Sequence, residues 1–363
     1  MKASGRQREE SERNAKAAGW SAISLERKVA ALHCADIYPE GAGTVEERES
    51  HMSWVFLTER FAYKMKKPVK FPRLDFSTLA LRKGQCENEL VLNRRLAPAV
   101  YLGLMGMTCD KEGRISLDGP GETVEWLVRM VRLPTERKLE RLIEEGRAQG
   151  QEIKADIAAA AELLMRFYRS APPVHMPAEE YRLRFVSEIA SITAELLSPQ
   201  FGLPADLIDG AAARLQAFVA NEAALRGGRA PRVIDAHGDL RPQHIYVGPE
   251  PAIIDCLEFD RELRLRDPLD ELSFLRLECD RLSDPRPGDL FIERYRQMLE
   301  DPAPAELVCF YGAFRAFERA KLAIGHLEDP DSPDPAYAAK WRERALTYVR
   351  LAEGYSTPAR CSG

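Results

Sequence analysis

Two aspartates at a telling spacing raise the question of chemistry first. The stretch "HGDLRPQHIYV", from His237 to Val247, holds Asp239 between a glycine and a leucine, with a second histidine, His244, further on. The polar side chains at 239 and 244 and the missing backbone donor of Pro242 speak against a buried strand. Apolar alternation resumes only at Ile245 and Val247, so the segment predicts a loop running into a strand. Downstream, the run "AIID" ends in Asp255, and a hairpin turned by "GPEP" would return this second carboxylate close to the first. Phosphoryl transfer needs one carboxylate to accept or orient the nucleophile's proton and another to hold the magnesium that bridges nucleotide phosphates. Asp239 suits the first role and Asp255 the second. Singly, an Asp after Gly also fixes a turn, and an Asp ending a strand also caps the next segment. The pairing favours chemistry.

Holding such a pair in place takes a large core, and 363 residues can bury one in two lobes. A hydrophobic fraction of 45%, a charged fraction of 30% and a net charge of -5 describe a soluble globular protein. That balance argues against a general polyanion-binding surface, so nucleic acid is a poor fit as a partner. The 7 cysteines are odd in number, scattered and without a CxxC pair, which suggests neither a disulfide framework nor a zinc site and fits a reducing cytoplasm. The first thirty or so residues carry no apolar signal segment, and no uncharged run is long enough to span a bilayer; neither export nor a membrane partner is expected.

Along the chain, residues 1–23 read as a loose tail. A helix capped by Ser24 places Leu25, Val29, Leu32 and Ala35 at helical spacing. "SWVFLTERFAYKMKK" predicts two strands joined by a turn at Thr58 to Arg60. Next comes a helix with Leu81, Cys86, Leu90, Leu92 and Leu96 on its apolar face, stopped by Pro98. Strands over 100–108 and 123–131 complete a small sheet. From 132 the pattern turns helical, over 135–148, 151–170, 178–197 and 204–226. Within this region the only clear strand material is "HIYV" and "AIIDCLEF", before helices resume at Pro268 and run through 306–327. The predicted organisation is a tail over 1–23, a mixed lobe over 24–131 and a helical lobe over 132–363.

"AHGDLRPQHIYV" followed by "AIIDCLEFDRELRLRDPLDELSFL" resembles the catalytic loop, metal-binding aspartate and following helix start of the aminoglycoside phosphotransferase-like family. "SHMSWVFLTERFAYKMKKPVKFPRLDFSTLALRKGQCENELVLNRRLAP" is similar to the small lobe of a bacterial subgroup of that family often fused to a P-loop kinase domain, although no GxxxxGK[ST] occurs here. The resemblance covers about residues 25–330. It implies an α+β, bilobal protein-kinase-like fold: a small mixed β-sheet N-lobe with one main helix and a larger, mainly helical C-lobe.

It also implies site residues. A strand through "AYKMKK" puts Lys64 and Lys66 on one face; either reaches nucleotide phosphates as a point charge, and Lys64 is favoured because it directly follows the apolar run. Glu89 is the candidate partner of that lysine, with Glu87 competing. The phosphate-binding turn falls in "ERESHMSWVF", which has no glycine, so His51 and Ser53 are the candidate donors there. Backbone groups near Arg129 and Met130, in "EWLVRMVRLP", correspond to the segment that receives adenine. His244 stands where the family carries an asparagine that ligates a second magnesium; imidazole suits Mn²⁺ or Zn²⁺ better than Mg²⁺. His237 corresponds to a residue packed beneath the catalytic loop. In "RDPLDEL", Asp267 reads as an N-cap, Pro268 as the first helical residue, and Asp270 with Glu271 as first-turn carboxylates favoured by the helix dipole. The resemblance adds support of the catalytic loop by Asp267.

The activity implied is ATP-dependent transfer of the γ-phosphate to a hydroxyl of a small molecule, with ATP and Mg²⁺ (or Mn²⁺) as cofactors, in the cytoplasm. The acidic stretches "PAEEY" and "LECDRLSD" would favour a cationic acceptor, or simply be solvated helix faces. Two other readings stay open: a pseudokinase that binds nucleotide as a scaffold for a protein partner, and a nucleotidyl transferase on the same fold.

Overall fold

A computed structural model of the protein describes residues 23–221, 225, 229–302, 304–328 and 334–355. The expected tail therefore lies outside the described residues except at Ile23, which is buried. The described chain divides into two compact units, one running to Leu133 and including Glu258–Asp260, the other comprising Pro134–Leu257 and the chain from Arg261 onward.

The first unit opens with helix α1 (Leu25–Leu32), whose N-cap Ser24 accepts a hydrogen bond from the Arg27 amide. Five strands follow: β1 (Glu46–Glu49), β2 (Ser53–Leu57), β3 (Phe61–Lys66) and the short pair β4 (Lys70–Phe71) and β5 (Leu74–Asp75). Helix α2 (Leu79–Asn93) separates these from β6 (Tyr101–Cys109), β7 (Ile115–Leu117) and β8 (Glu122–Val131). Six strands form one antiparallel sheet in the order β1-β2-β3-β8-β6-β7. Its aromatic and sulfur-rich face, with Trp54, Phe56, Tyr63, Met65 and Met107, is the core of the unit.

One strand was not predicted and one expectation needs correcting here. Strand β1 has the sequence EERE, which shows no apolar alternation; it is an edge strand, held by pairing with β2. Helix α2 does not bury an all-apolar stripe: Leu81 is exposed, and the inward residues are Arg82, Cys86, Glu89, Leu90 and Asn93. The polar members of this face are buried because they are paired. Arg82 grips both carboxylate oxygens of Glu125, at 2.9 and 2.7 Å, and Glu125 also takes Lys28 at 2.9 Å.

The second unit is built on helices α3 (Leu139–Glu144), α4 (Gln151–Ser170), α5 (Ala178–Leu196) and α6 (Ala205–Ala220). Two small hairpin-like ladders follow, drawn from β9 (Ile234–Asp235), β10 (Ile245–Tyr246), β11 (Ala252–Ile253) and β12 (Leu265–Arg266). The chain then continues as α7 (Pro268–Arg281), α8 (Arg286–Leu299), α9 (Ala305–Gly325) and α10 (Pro335–Tyr355). Helix α3 is shorter than the expected 135–148, because a 3₁₀ turn at Thr135–Arg137 precedes it and Gly146, at φ 67°, ends the run. Strands β9 and β12 pair with each other, a contact between segments thirty residues apart that local pattern does not announce. Five cysteines are free thiols, but Cys309 is disulfide-bonded, since pairing depends on tertiary proximity rather than on spacing. Among the described residues no helix is long and apolar enough to cross a membrane.

Candidate active site

The loop after β9 turns on Gly238, at φ 87°. A Cβ there would stand 3.0 Å from Arg264 Cγ and 3.1 Å from Leu257 Cδ1, so both the left-handed backbone and the crowding require glycine. Glu271, in the first turn of α7, holds the loop from below. Its Oε1 accepts from the Gly238 amide at 2.6 Å, and its Oε2 accepts from the His237 amide at 3.3 Å and the Tyr168 hydroxyl at 2.7 Å. The fully buried His237 ring ties the loop to the second hairpin: Nε2 lies 2.9 Å from the Ile254 carbonyl and Nδ1 accepts from the Asp239 amide at 3.3 Å. Burial lowers the pKa of this imidazole, so it works as a neutral donor and acceptor.

Asp239 follows, with its Oδ2 accepting from Arg241 Nη2 at 2.6 Å. Burial pushes its carboxyl pKa up, but Arg241, His244 and Arg319 outweigh it and hold the pKa below the usual range, leaving a carboxylate at neutral pH. His244 Nδ1 lies 2.8 Å from the Asp239 carbonyl oxygen, which makes Nδ1 the protonated nitrogen; Nε2 then accepts from Arg241 Nη2 at 3.4 Å and lies 3.4 Å from Asp255 Oδ2. Burial, with Arg241 adding to it, lowers the His244 pKa to about 4 against the pull of Asp239 and Asp255. The β10–β11 hairpin that delivers Asp255 is short: Ile245 pairs with Ile253 and Tyr246 with Ala252. Asp255 then sits at φ 63°, a left-handed conformation uncommon outside glycine, with its side chain 45% exposed.

Asp267 caps α7, accepting from the Leu269 amide at 3.0 Å, with Pro268 as the first helical residue. Its two oxygens also take Arg229 in a bidentate grip at 2.7 and 2.6 Å, and Tyr311 donates to it at 2.8 Å. Arg229 turns its remaining nitrogen to Asp301. Its pKa is raised: burial alone would lower it, and Asp267 overrides that cost.

In the first unit, alternation along β3 puts Lys64 and Lys66 on one face as expected, and both reach Glu89. Lys64 Nζ lies 2.8 Å from Glu89 Oε1 and Lys66 Nζ 2.7 Å from Oε2. Lys66 is the more enclosed, 2% exposed against 14% for Lys64, and also contacts Glu258. Burial pulls its ammonium pKa down, but Glu89 and Glu258 more than reverse this. Glu87 instead faces outward and pairs with Lys83.

The turn between β1 and β2 needs no glycine because Ser50 closes it: its amide donates to the Ser53 carbonyl at 2.9 Å, and its Oγ accepts from the Ser53 amide at 3.1 Å. His51 is exposed on this turn, while Ser53 is buried with its Oγ 3.1 Å from that of Ser50. Arg129 and Met130 lie inside β8, flanked by Tyr63 and Ala62 of β3 on one side and by Gly103 and Tyr101 of β6 on the other. The backbone of both residues is thus paired within the sheet, and the chain leaves the sheet after Val131.

Among the described residues, no group of three or more His, Cys, Asp or Glu side chains is preassembled around a metal position. Asp255 and the neutral Nε2 of His244 nevertheless form a two-donor set, one hard oxygen and one borderline nitrogen. Such a set fits a divalent cation that keeps water and phosphate oxygens as its remaining ligands. Reading the sequence for chemistry had missed Glu271 as the acceptor for the loop amides, Arg229 as the partner of Asp267, Glu258, and Ser50. Arg241 stood in plain view two positions after Asp239; a cation at that distance was the signal.

No protein-family model matches the chain. Uncharacterized proteins of Mycobacterium tuberculosis (strain ATCC 25618 / H37Rv) and Mycobacterium bovis (strain ATCC BAA-935 / AF2122/97) are each 32% identical to it over 286 residues, which is 77% of this chain and 54% of theirs. The chain spans about half the length of these curated relatives. Among solved structures, a choline/ethanolamine kinase family protein from Mesorhizobium loti superposes with a TM-score of 0.52 at 16% identity, covering 91% of this chain and 98% of that one. With an antiparallel sheet and one main helix in its first unit and helices in its second, the chain has the fold of that structure, a protein-kinase-like fold.

Proposed function

We propose that the protein is a phosphotransferase that moves the γ-phosphate of ATP to a hydroxyl group of a small molecule. The observation that supports this most is the convergence on His244: its Nδ1 is bound to the backbone of Asp239 while its Nε2 faces Asp255, so the candidate base and candidate metal ligand share one rigid spacer. Asp239 stays ionised, and its Oδ1 accepts no hydrogen bond among the described residues, which leaves it to receive an acceptor hydroxyl. A carboxylate of such low basicity orients the hydroxyl and takes its proton late, which suits a loose transition state with little nucleophile deprotonation. Asp255 and His244 would hold a divalent cation, whose chemistry is to neutralise charge on the phosphate oxygens. Lys64, less enclosed than Lys66, is the side chain of this chain best suited to meet a phosphate as a point charge.

The test is calorimetric ATP binding with Mg²⁺, Mn²⁺ or chelator, on the wild type and on Asp255→Asn, followed by ADP release against a panel of small hydroxyl compounds. Metal-dependent binding weakened by the substitution, with ADP as product, supports the reading. AMP or pyrophosphate would point to nucleotidyl transfer, and binding without any product to a nucleotide-dependent scaffold.

A further inference from the structure

On the second unit lies an open cavity of about 420 Å³. The side chains of Pro173, Pro231, Met298 and Leu299 supply its apolar walls over the buried residues Tyr168, Tyr295 and Ile234, while Arg169, Arg232 and Glu300 also line it. The volume is that of a small-molecule site rather than of a packing defect. Arg169 donates to the Met298 carbonyl and has no carboxylate within ion-pair distance among the described residues, so one cation at the mouth lacks an anion.

The walls are bonded to the supports of the catalytic-type loop. Tyr168 donates to the same Glu271 that accepts from Gly238 and His237. Tyr295 and Arg232 both meet Asp301, which shares Arg229 with Asp267. Pro268, also in the wall, is the first residue of α7. Contiguous bonds of this kind are how occupancy of one site is felt at another.

We propose that this cavity is a second ligand site, for a small molecule with a flat apolar body and one carboxylate or similar anion, and that its occupancy tightens the 236–240 loop through Tyr168 and Glu271. The anion pairs with Arg169 and the body lies against Pro173, Pro231 and Met298. Nothing in this depends on phosphotransfer, and the test reads neither ATP nor turnover.

The probes are 2-naphthoate and its neutral counterpart 2-naphthamide, titrated calorimetrically into the full chain, with amide hydrogen exchange followed over 236–240. Wild type is expected to prefer the naphthoate, Arg169→Gln to lose that preference, and Ala171→Trp, which fills the cavity from its half-buried rim, to bind neither. Exchange over the loop is expected to slow about fivefold on binding in the wild type and to stay unchanged in Tyr168→Phe. Undiminished naphthoate binding to Ala171→Trp, or no binding to the wild type, overturns the site. Binding without any change in loop exchange overturns the coupling. Arg169 lies at the end of its helix on the surface, so its variant remains informative should Ala171→Trp fail to fold.

Discussion

The Nδ1 of His244 lies 2.8 Å from the carbonyl oxygen of Asp239, so the ring that faces the candidate metal position is fixed by the backbone of the candidate base. An asparagine at this position would offer the same donor to Asp239 and a hard oxygen in place of Nε2. His244→Asn is therefore expected to move the metal preference for ATP binding from Mn²⁺ toward Mg²⁺ by about tenfold. His244→Ala, which loses the donor as well, should weaken binding with either ion. An unchanged Mn²⁺ to Mg²⁺ ratio in His244→Asn would remove His244 from the metal set.

The same ring predicts a pH effect on stability. Its pKa is about 4 in the folded chain and 6.5 ordinarily, so between these values the unfolded chain binds the extra proton. Stability is then present above the ordinary pKa and is lost as pH falls. The loss attributable to His244 from about pH 7.5 to about pH 5 is roughly 2 kcal/mol, with His237 adding in the same direction. Urea unfolding at the two pH values checks this, and His244→Asn should flatten the dependence.

Glu271→Gln keeps the shape of the side chain but exchanges a charged acceptor for a neutral one beneath two loop amides and a tyrosine hydroxyl. We expect a stability loss of about 1–3 kcal/mol and a fall in turnover with ATP affinity nearly unchanged. A fall in ATP affinity equal to the fall in turnover would show that Glu271 shapes nucleotide binding instead.

The two lysines on Glu89 should separate by experiment. Lys66→Met leaves the buried carboxylates of Glu89 and Glu258 short of a partner and should destabilise the fold by about 3–5 kcal/mol. Lys64→Met should cost little stability and mainly weaken ATP binding, since Glu89 retains Lys66. Thermal unfolding together with nucleotide titration distinguishes them; the opposite assignment would make Lys66 the phosphate contact.

Much of this was legible in the sequence, for reasons that can be named. The strands around Trp54, Tyr63, Met105 and Leu127 follow aromatic and β-branched enrichment, and the aspartates stand at chain positions where loop and hairpin signals are strong. What escaped notice was long-range pairing of charge. Nothing near Arg82 announces Glu125, nor anything near Arg229 announces Asp267, because a buried ion pair looks locally like two surface residues. The EERE edge strand escaped for a related reason: its place in the sheet comes from its neighbour.

The left-handed backbone of Asp255 has a practical consequence. Asparagine is among the few side chains that accept that conformation readily, whereas alanine there would carry the strain with no local hydrogen bond to offset it. Asp255→Asn thus changes a charge and leaves the main chain at rest. Under the proposed function the substitution removes a cation ligand without disturbing architecture, so a loss of metal-dependent ATP binding in that variant, with its thermal unfolding unchanged, reads the chemistry of the site rather than its folding.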